Sequence, residues 1–252
     1  MSVRNAKKLP MEELAPYLFA MPDAGQVLDP RTLFSVEQPI ELEVGFGKGA
    51  FLVEAVPAHP ERNYLGIEID RALTLYVATR IAKRKLPNVK VASGDAGRLL
   101  SQHLPEQSLD AVHVYFPDPW WKKKHRKRRV FNEVFALHAA RVIRPGGMLY
   151  LATDVAEYFQ VMLTVMAGRP EFVPVHVGRE EQANDPTQAA TNFEKKARRE
   201  GRPVWRGRFE RNATSVITNQ HSLNEMLDRV TEENRHDETQ WGQDVGKEIL
   251  PD

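Results

Sequence analysis

The chain contains no cysteine. It therefore has no disulfide bonds, no thiolate metal site and no cysteine nucleophile. Long apolar runs are missing too, since none approaches the length that crosses a membrane. The N-terminus also lacks the apolar region of a signal peptide. These absences lead us to expect a cytoplasmic protein that has no membrane partner.

A net excess of charge is missing as well, because 35 Lys and Arg balance 34 Asp and Glu to give +1. The balance hides a strong segregation of charge along the chain. Residues 122–129 carry seven Lys or Arg and one His without an acid, residues 195–211 are a second basic stretch, and the last 28 residues are mainly acidic. A partner therefore meets local patches rather than the average charge.

Length and composition predict one domain with extensions. A chain of 252 residues with 42% apolar side chains can bury one substantial core. We expect an irregular N-terminal arm over residues 1–39, which hold five prolines, and a globular domain over residues 40–211. The acidic extension, residues 212–252, is expected to be partly mobile.

A glycine-rich turn marks the first candidate site. Residues 40–44 read as a strand, Gly45, Gly47 and Gly49 follow at once, and an apolar-periodic helix begins at Ala50. A strand, a glycine turn and a helix are typical of a nucleotide-binding unit, in which the backbone approaches the ligand closely. The G-x-G-x-G pattern is weak by itself.

Carboxylates near this turn restrict the kind of ligand that it could bind. Glu43 stands just before the glycines, and Glu68 ends a second strand at the spacing typical of a ribose-binding acid. Two carboxylates would repel a pyrophosphate, so they favour the cationic S-adenosylmethionine over a nicotinamide dinucleotide. The alternative is that Glu43 and Glu68 are exposed charges at strand ends. Asp95, after the third strand, either accepts a hydrogen bond from adenine or caps the helix that starts at Ala96.

The most distinctive stretch follows the fourth strand, residues 111–116. Pro117-Asp118-Pro119 ends this strand, and Trp120, Trp121 and the basic residues 122–129 come next. An aspartate in a rigid corner, between aromatics and cations, suits a nucleotide within a polynucleotide. The tryptophans either stack on bases or pack beneath the basic loop, and the cations either bind phosphates or form a solvated face.

Alternating strands and helices predict the fold class. Further strands are expected at residues 148–153, 171–177 and 203–211, a tight turn at 145–147, and a polar loop over 179–194. This order predicts an α/β fold with a doubly wound, mostly parallel sheet of seven strands. The carboxyl ends of its strands form one edge, where ligands bind. The carboxylates expected there are Glu43, Glu68, Asp95, Asp118 and Asp154.

Together these motifs resemble the bacterial tRNA (guanine-N7)-methyltransferases. The match rests on the glycine turn with Glu43, on Glu68, on the Pro-Asp-Pro-Trp corner with its cationic run, on Thr153-Asp154 and on Thr191-x-Phe193-Glu194. It covers roughly residues 40–211. The resemblance implies a class I (Rossmann-like) methyltransferase fold, S-adenosylmethionine as donor, no metal, and tRNA as partner. The implied acceptor is N7 of the variable-loop guanine, tRNA position 46.

The resemblance also implies residue roles, with Asp118 as the catalytic residue. The residues implied to bind the donor are Glu43, Gly45, Gly47, Glu68, Asp95 and Asp118. Those implied to bind the substrate are Lys122, Asp154, Thr191, Asn192, Phe193 and Glu194. Those implied to contact RNA are Lys124, His125, Arg126, Lys127, Arg128 and Arg129.

Other functions remain possible from the residues alone. A methyltransferase for a small molecule or a protein would keep the glycine turn but has no use for the cationic run. A non-catalytic RNA-binding protein would be expected to lose the donor-site carboxylates, which are present. A nicotinamide oxidoreductase is disfavoured by the paired acids. The sequence leaves monomer and homodimer open.

Overall fold

A computed structural model describes residues 6–120, 122–180 and 191–212. Its centre is one seven-stranded sheet. The strands are β1 (Ile40–Val44), β2 (Asn63–Glu68), β3 (Val89–Ser93), β4 (Leu109–Tyr115), β5 (Ile143–Thr153), β6 (Phe172–Glu180) and β7 (Val204–Arg211). Their order in the sheet is β3-β2-β1-β4-β5-β7-β6. Pairs among β1 to β5 are parallel, whereas β7 is antiparallel to β5 and β6. The predicted doubly wound, mostly parallel sheet is confirmed.

Helices cover the two faces of the sheet. They are α1 (Met11–Leu14), α2 (Ala50–Ala58), α3 (Arg71–Arg84), α4 (Ala96–Arg98), α5 (Glu133–Val142), α6 (Ala156–Ala167) and α7 (Asn192–Arg199). Phe51 of α2 and Val77 of α3 belong to one buried cluster. Phe135 of α5 and Phe159 of α6 belong to a second cluster. Burial on both faces explains why β1 and β2 contain no exposed position.

The two faces of the sheet differ in polarity. Leu42 and Val44 of β1 join the second cluster, whereas Glu41 and Glu43 alternate with them and lie on the other face. His113 Nε2 lies 2.9 Å from Glu41 Oε2, and its Nδ1 lies 2.9 Å from the Tyr115 hydroxyl. Burial disfavours the Glu41 carboxylate, but His113 and an ion pair with Arg62 outweigh it and lower its pKa to about 2. A buried polar network therefore runs along this face.

Two predicted boundaries were wrong. The turn expected at 145–147 lies within β5, because the register between β4 and β5 shifts between Leu109 and Ala111 and accommodates the extra residues. The loop expected over 179–194 is shorter, since β6 continues through Glu180 and α7 begins at Asn192. Pairing with β7 supplies the hydrogen bonds that extend β6. Residues 181–190 lie outside the described residues.

The described part of the N-terminal arm packs on the domain. Leu14 is buried, and Leu18 forms a parallel bridge with Val91 of the edge strand β3. The Phe19 N–H donates to the Val91 carbonyl at 3.1 Å. The arm therefore covers one open edge of the sheet.

One sequence prediction concerns a part of the chain that the structure leaves undescribed. The acidic extension beyond residue 212 lies outside the described residues. Within residues 6–120, 122–180 and 191–212, no helix combines the length and apolar character needed to cross a membrane.

Candidate functional site

A cavity of about 1360 Å³ opens at the carboxyl ends of β1, β2 and β4. Of the five carboxylates predicted for this edge, Glu68, Asp95 and Asp118 line it. Its walls also include the glycine turn after β1, the segment after β4, and α5. Ligands of open α/β sheets bind at this edge, so the cavity is the candidate site.

The glycine turn presents backbone to the cavity. Gly45 and Gly47 line it, and no atom lies within 4 Å of the position that a Cβ on Gly47 would take. At Gly49, with φ of 66°, a Cβ would come within 2.6 Å of a Val77 methyl group. Gly49 therefore lets α2 and α3 pack closely, while Gly47 leaves room for a ligand beside the main chain.

Glu68 ties the glycine turn to the end of β2. Its Oε2 accepts from the Gly47 N–H at 3.0 Å, and its Oε1 accepts from the Asp70 N–H at 3.1 Å. Asp70 itself caps α3 by accepting from the Ala72 N–H at 2.7 Å. Glu68 is only 8% exposed. The interpretation of Glu68 as an exposed strand-end charge is therefore wrong, and its carboxylate is fixed at the cavity wall.

Glu43 is buried on the same side of the sheet and is 4% exposed, so it is not an exposed charge either. Its Oε2 has no hydrogen-bond partner among the described residues. Burial, together with the charge of Glu68, raises the pKa of Glu43 to about 8. A positive group placed beside these two acids would reverse that shift, so the pair favours a cationic ligand.

Asp95 has the capping role that was one of its two interpretations. Its Oδ1 accepts from the Arg98 N–H at 3.1 Å, which satisfies the first turn of α4. Asp95 is also exposed and lines the cavity. The cap therefore holds the carboxylate at the wall, where its other lone pairs can accept from a ligand.

The Pro117-Asp118-Pro119 corner is bounded by two left-handed residues. Phe116 has φ of 50° and Trp120 has φ of 43°, a strained conformation for aromatic residues. The corner is held by the Phe116 N–H, which donates to the Ala152 carbonyl at 2.7 Å, and by Arg129 Nε, which donates to the Pro119 carbonyl at 2.6 Å. Asp118 is thereby held, exposed, at the cavity wall.

Arg129 and Tyr158 form the support behind this corner. The Arg129 guanidinium lies 5.1 Å from the centre of the Tyr158 ring. Burial raises the pKa of Tyr158 to about 12, with Arg129 opposing the shift and Asp118 adding to it. Sequence reasoning missed Tyr158, because nothing in the pattern of α6 distinguishes it from an ordinary core aromatic.

Trp120 packs against the cationic segment, residues 122–129, which contains a 3₁₀ helix over Lys123–Arg128. Arg128 lies 5.2 Å from the centre of the Trp120 ring, and the His125 ring lies 5.7 Å from it. Partial desolvation and the neighbouring cations lower the pKa of His125. Trp120 therefore contacts side chains of this segment, but it is only half-buried and it lines the cavity as well.

The cationic segment itself faces solvent beside the cavity. Its described side chains at Lys122, Lys124 and Arg128 are exposed, and Arg128 and Arg129 line the cavity. Trp121 lies outside the described residues, and the side chains of Arg126 and Lys127 lie outside the described part as well. The predicted RNA-contacting run thus adjoins the predicted donor site.

The predicted substrate residues of α7 are divided between the core and the cavity. Thr191 caps α7, since its hydroxyl accepts from the Glu194 N–H at 3.1 Å. Glu194 is 1% exposed and forms a 2.8 Å ion pair with Arg206 of β7, a partner that sequence reasoning missed. Phe193 is 53% exposed, lines the cavity, and stacks at 6.2 Å on Phe116. The Asn192 side chain lies outside the described part.

Asp154 is not among the described residues that line the cavity. It pairs with Arg202, which also contacts Glu200 at 2.8 Å. Asp154 thus fixes the segment between α7 and β7. Among the described residues, no group of three or more His, Asp or Glu is placed to hold a metal ion.

Comparisons with known proteins agree with this geometry. Residues 37–207 match the family described as "Putative methyltransferase". The tRNA (guanine-N(7)-)-methyltransferase of Rhodopirellula baltica is 41% identical over 207 residues, which cover 79% of this chain and 76% of that protein. The protein of the same name from Alkalilimnicola ehrlichii is 40% identical over 184 residues, 73% of this chain and 77% of that one.

A solved structure shows the same fold. The crystal structure of the antibiotic-resistance methyltransferase Kmr superposes with a TM-score of 0.50, covering 71% of this chain and 90% of that chain. The sequence identity is 14%, so the likeness concerns the fold alone. The seven-stranded sheet is that of the class I methyltransferases.

Proposed function

Because the chain belongs to the tRNA (guanine-N7)-methyltransferase family, we propose that its cavity holds the methyl donor and the target guanine side by side. The activity is the S-adenosylmethionine-dependent methylation of N7 of a guanine in tRNA. The acceptor we propose is the variable-loop guanine.

The donor side of the cavity is formed by the ends of β1 and β2. Three observations fit a cationic nucleoside: the buried Glu43 oxygen without a described partner, the fixed carboxylate of Glu68, and the open space beside Gly47. Glu68 is placed to accept from ribose hydroxyls, and Asp95 from an adenine amino group. When bound, S-adenosylmethionine supplies an electrophilic methyl group on a sulfonium.

The acceptor atom requires no base. N7 of guanine carries a free lone pair and no proton, so no side chain has to remove one before attack. Catalysis therefore consists mainly of positioning and electrostatic stabilisation. The protein's task is to hold the base in line with the methyl group and to stabilise the positive charge that develops on the purine.

Asp118 suits this task. It is exposed at the cavity wall, and the two prolines with Arg129 restrict its movement. A carboxylate there accepts from the guanine N1–H and amino group, and its negative charge favours the developing positive charge. We therefore keep Asp118 as the central catalytic residue.

Phe193 suits the flat face of the base. A base within folded tRNA is stacked on its neighbours, so the enzyme must loosen or flip the nucleotide to bring its N7 to the methyl group. Phe193 offers an exposed ring at the cavity, supported from behind by Phe116. Stacking on such a ring contributes about 1–3 kcal/mol per base. Trp120 also lines the cavity, with the Arg128 guanidinium near its ring.

The cationic segment holds the phosphates of the tRNA. Arg128 and Arg129 reach the cavity wall, and Lys122 and Lys124 extend the positive surface away from it. Phosphate contacts of this kind fix the position of the RNA without reading its sequence. They would place the target nucleotide at the mouth of the cavity.

One observation carries these roles: Glu68, Asp118 and Phe193 line the same cavity, which the cations Arg128 and Arg129 border. A methyltransferase for a small molecule has no use for that border. A non-catalytic RNA-binding protein has no use for the buried acids on the donor side.

The test is methyl transfer from labelled S-adenosylmethionine to unmodified tRNA transcripts, one with the variable-loop guanine and one with adenine in its place. We expect product with the first transcript and none with the second. Equal transfer to both would overturn the proposed acceptor. Transfer to neither, with intact tRNA binding, would overturn the proposed function.

A further inference from the structure

The helix α7 carries a cationic face that the roles above leave unused. Lys195, Lys196 and Arg199 are exposed, and they project from one short helix of eight residues. They belong to the second basic stretch of the sequence, residues 195–211. A charged helix face usually has no role beyond solubility. A binding role for this face therefore depends on how close it lies to the cavity.

The opposite face of α7 is anchored in the protein. Thr191, Glu194 and Ala197 recur every three residues and are all buried, at 8%, 1% and 0% exposure. Glu194 holds the helix to β7 through its 2.8 Å ion pair with Arg206. The three exposed cations therefore stand on a fixed support rather than on a fraying segment.

The same helix reaches the cavity. Phe193, two residues before Lys195, lines the cavity wall and stacks on Phe116, next to the corner that holds Asp118. Eight helical residues span only about 12 Å, so the cations of α7 lie within about one helix length of the target base. The cationic segment, residues 122–129, meets the cavity from another element.

Two described acids near α7 pair with arginines. Glu200, at the end of α7, pairs with Arg202 at 2.8 Å, and Arg202 also pairs with Asp154. Glu194 is buried against Arg206. These described carboxylates are thus engaged with arginines of the following segment and of β7. The side chains of Lys196 and Arg199 are exposed, as is that of Lys195.

We propose that the exposed face of α7 is a second RNA-binding surface, which contacts phosphates next to the target guanosine. It acts together with residues 122–129, so that the RNA strand is held at two places on the rim of the cavity. A strand held at one place can pivot about it, whereas two contacts fix its register. This inference rests on the proposed function, since it assumes that tRNA is the substrate.

The experiment compares three variants of the full chain. The neutral variant carries Lys195→Gln, Lys196→Gln and Arg199→Gln. The exchange variant carries Lys195→Arg, Lys196→Arg and Arg199→Lys, which keep the charge. The control carries Lys83→Gln, Arg84→Gln and Lys85→Gln at the exposed end of α3, which changes the net charge equally and does not line the cavity.

The measurements are the Kd for an unmodified tRNA transcript over a range of salt, and methyl transfer at low and at saturating tRNA. In the neutral variant we expect the Kd to rise at least about tenfold near physiological salt. The slope of log Kd against log salt should fall by about 2–3, because each lost phosphate contact removes about 0.7–0.9. In the neutral variant, methyl transfer at saturating tRNA should stay within about twofold of the wild type. In the exchange variant and in the control, both the Kd and methyl transfer should stay within about twofold of the wild type.

Several outcomes overturn the role of α7. They are an unchanged Kd and slope in the neutral variant, an equal loss in the control, and an equal loss in the exchange variant. If the wild-type chain itself transfers no methyl group to tRNA, the proposed function fails instead. The two failures are therefore distinguishable.

Discussion

Glu43 is a carboxyl group that the fold keeps protonated inside the sheet. Burial and the neighbouring charge of Glu68 raise its pKa from 4.5 to about 8. The folded chain then binds one more proton than the unfolded chain between these two values, so protonation stabilises the fold there. This contribution is fully present below about pH 4.5 and is lost as the pH rises through about 8, at about 1.4 kcal/mol per unit.

We therefore expect Glu43→Gln, which stays neutral at every pH, to gain stability relative to the wild type as the pH rises from about 5 to about 9. The measurement is urea unfolding of the donor-free protein at several pH values. An exposed Glu12→Gln variant serves as the control and should follow the wild-type curve. Parallel curves for Glu43→Gln and wild type would contradict the buried neutral acid.

Asp118→Asn tests the charge at the corner. Asparagine keeps the size and one acceptor oxygen but removes the negative charge that favours the developing cation. We expect turnover to fall by about 10²–10³, with tRNA binding within about threefold of the wild type. Single-turnover methyl transfer and tRNA titration measure the two effects. Asp23→Asn, exposed on the N-terminal arm, is the control; wild-type turnover by Asp118→Asn would remove this role.

Single residues differ in how much their sequence context could predict. The position of Asp118 follows from two prolines, and Asp95 follows from the helix start that it caps. Glu43 lies between the apolar residues Leu42 and Val44 of β1, which is compatible with burial. The same alternation of polar and apolar residues is also typical of a strand with one solvent-exposed face, so the sequence did not decide between the two. Only the resemblance pointed to Phe193, since its contact with Phe116 joins residues far apart in the chain.

Among the elements, α2 and α3 meet at a glycine. At Gly49 an added Cβ would lie 2.6 Å from one methyl group of Val77 and 2.7 Å from the other. Val77 is fully buried and β-branched, so its side chain has little freedom to turn away. Gly49 also has φ of 66°, which disfavours any L residue by about 1–2 kcal/mol.

We expect Gly49→Ala to lower the free energy of unfolding by about 2–4 kcal/mol, as the sum of this strain and of overpacking. Urea unfolding measures it. Val77→Ala removes the two colliding methyl groups, so it should cost less in the Gly49→Ala background than in the wild type. Additive effects in this double-mutant cycle would refute the collision.

Apolar patterns of their own made some elements predictable from the sequence, such as β1 and α2. The sequence predicted a loop through residue 194 and no helix after it, because the buried stripe of α7 consists of Thr191, Glu194 and Ala197, which is not an apolar pattern. The ion pair of Glu194 with Arg206 anchors this helix to β7, and that pair exists only once β7 is in place. A local pattern carries no signal for such a helix.

Across the whole molecule, charge is balanced in number but separated in space. The net charge is +1, yet Arg128 and Arg129 line the cavity, and α7 carries further exposed cations. Net charge would therefore underestimate the electrostatic part of tRNA binding, which depends on the number of phosphates contacted.

We expect tRNA affinity to fall steeply with salt in spite of the near-neutral chain. Four phosphate contacts would lower it about a hundredfold between about 50 and about 200 mM monovalent salt. Filter binding across this range measures the slope. A slope near zero would mean that the cationic segment does not contact phosphates. The control is the binding of S-adenosylmethionine, whose affinity should depend on salt far less than that of tRNA.

The order of the strands in the sheet could be predicted only in part from the sequence. The alternation of strands and helices through β5 predicts parallel neighbours, and that prediction is confirmed. Period-two patterns in β6 and β7 identify strands but carry no information on direction or neighbours. Their antiparallel placement, with β7 against β5, depends on pairing between segments that are distant along the chain.

Among the strands that the structure describes, the last to be synthesised is β7, and it lies inside the sheet between β5 and β6. While the chain is still on the ribosome, β5 thus has an unpaired edge until residue 211 has emerged. The donor side, built from β1, β2 and β4, can form earlier. The pair of Glu194 with Arg206, and with it the support for Phe193, must wait. A nascent chain surrounded by ribosomal RNA and tRNA therefore acquires this part of its RNA-facing side only when its domain is complete.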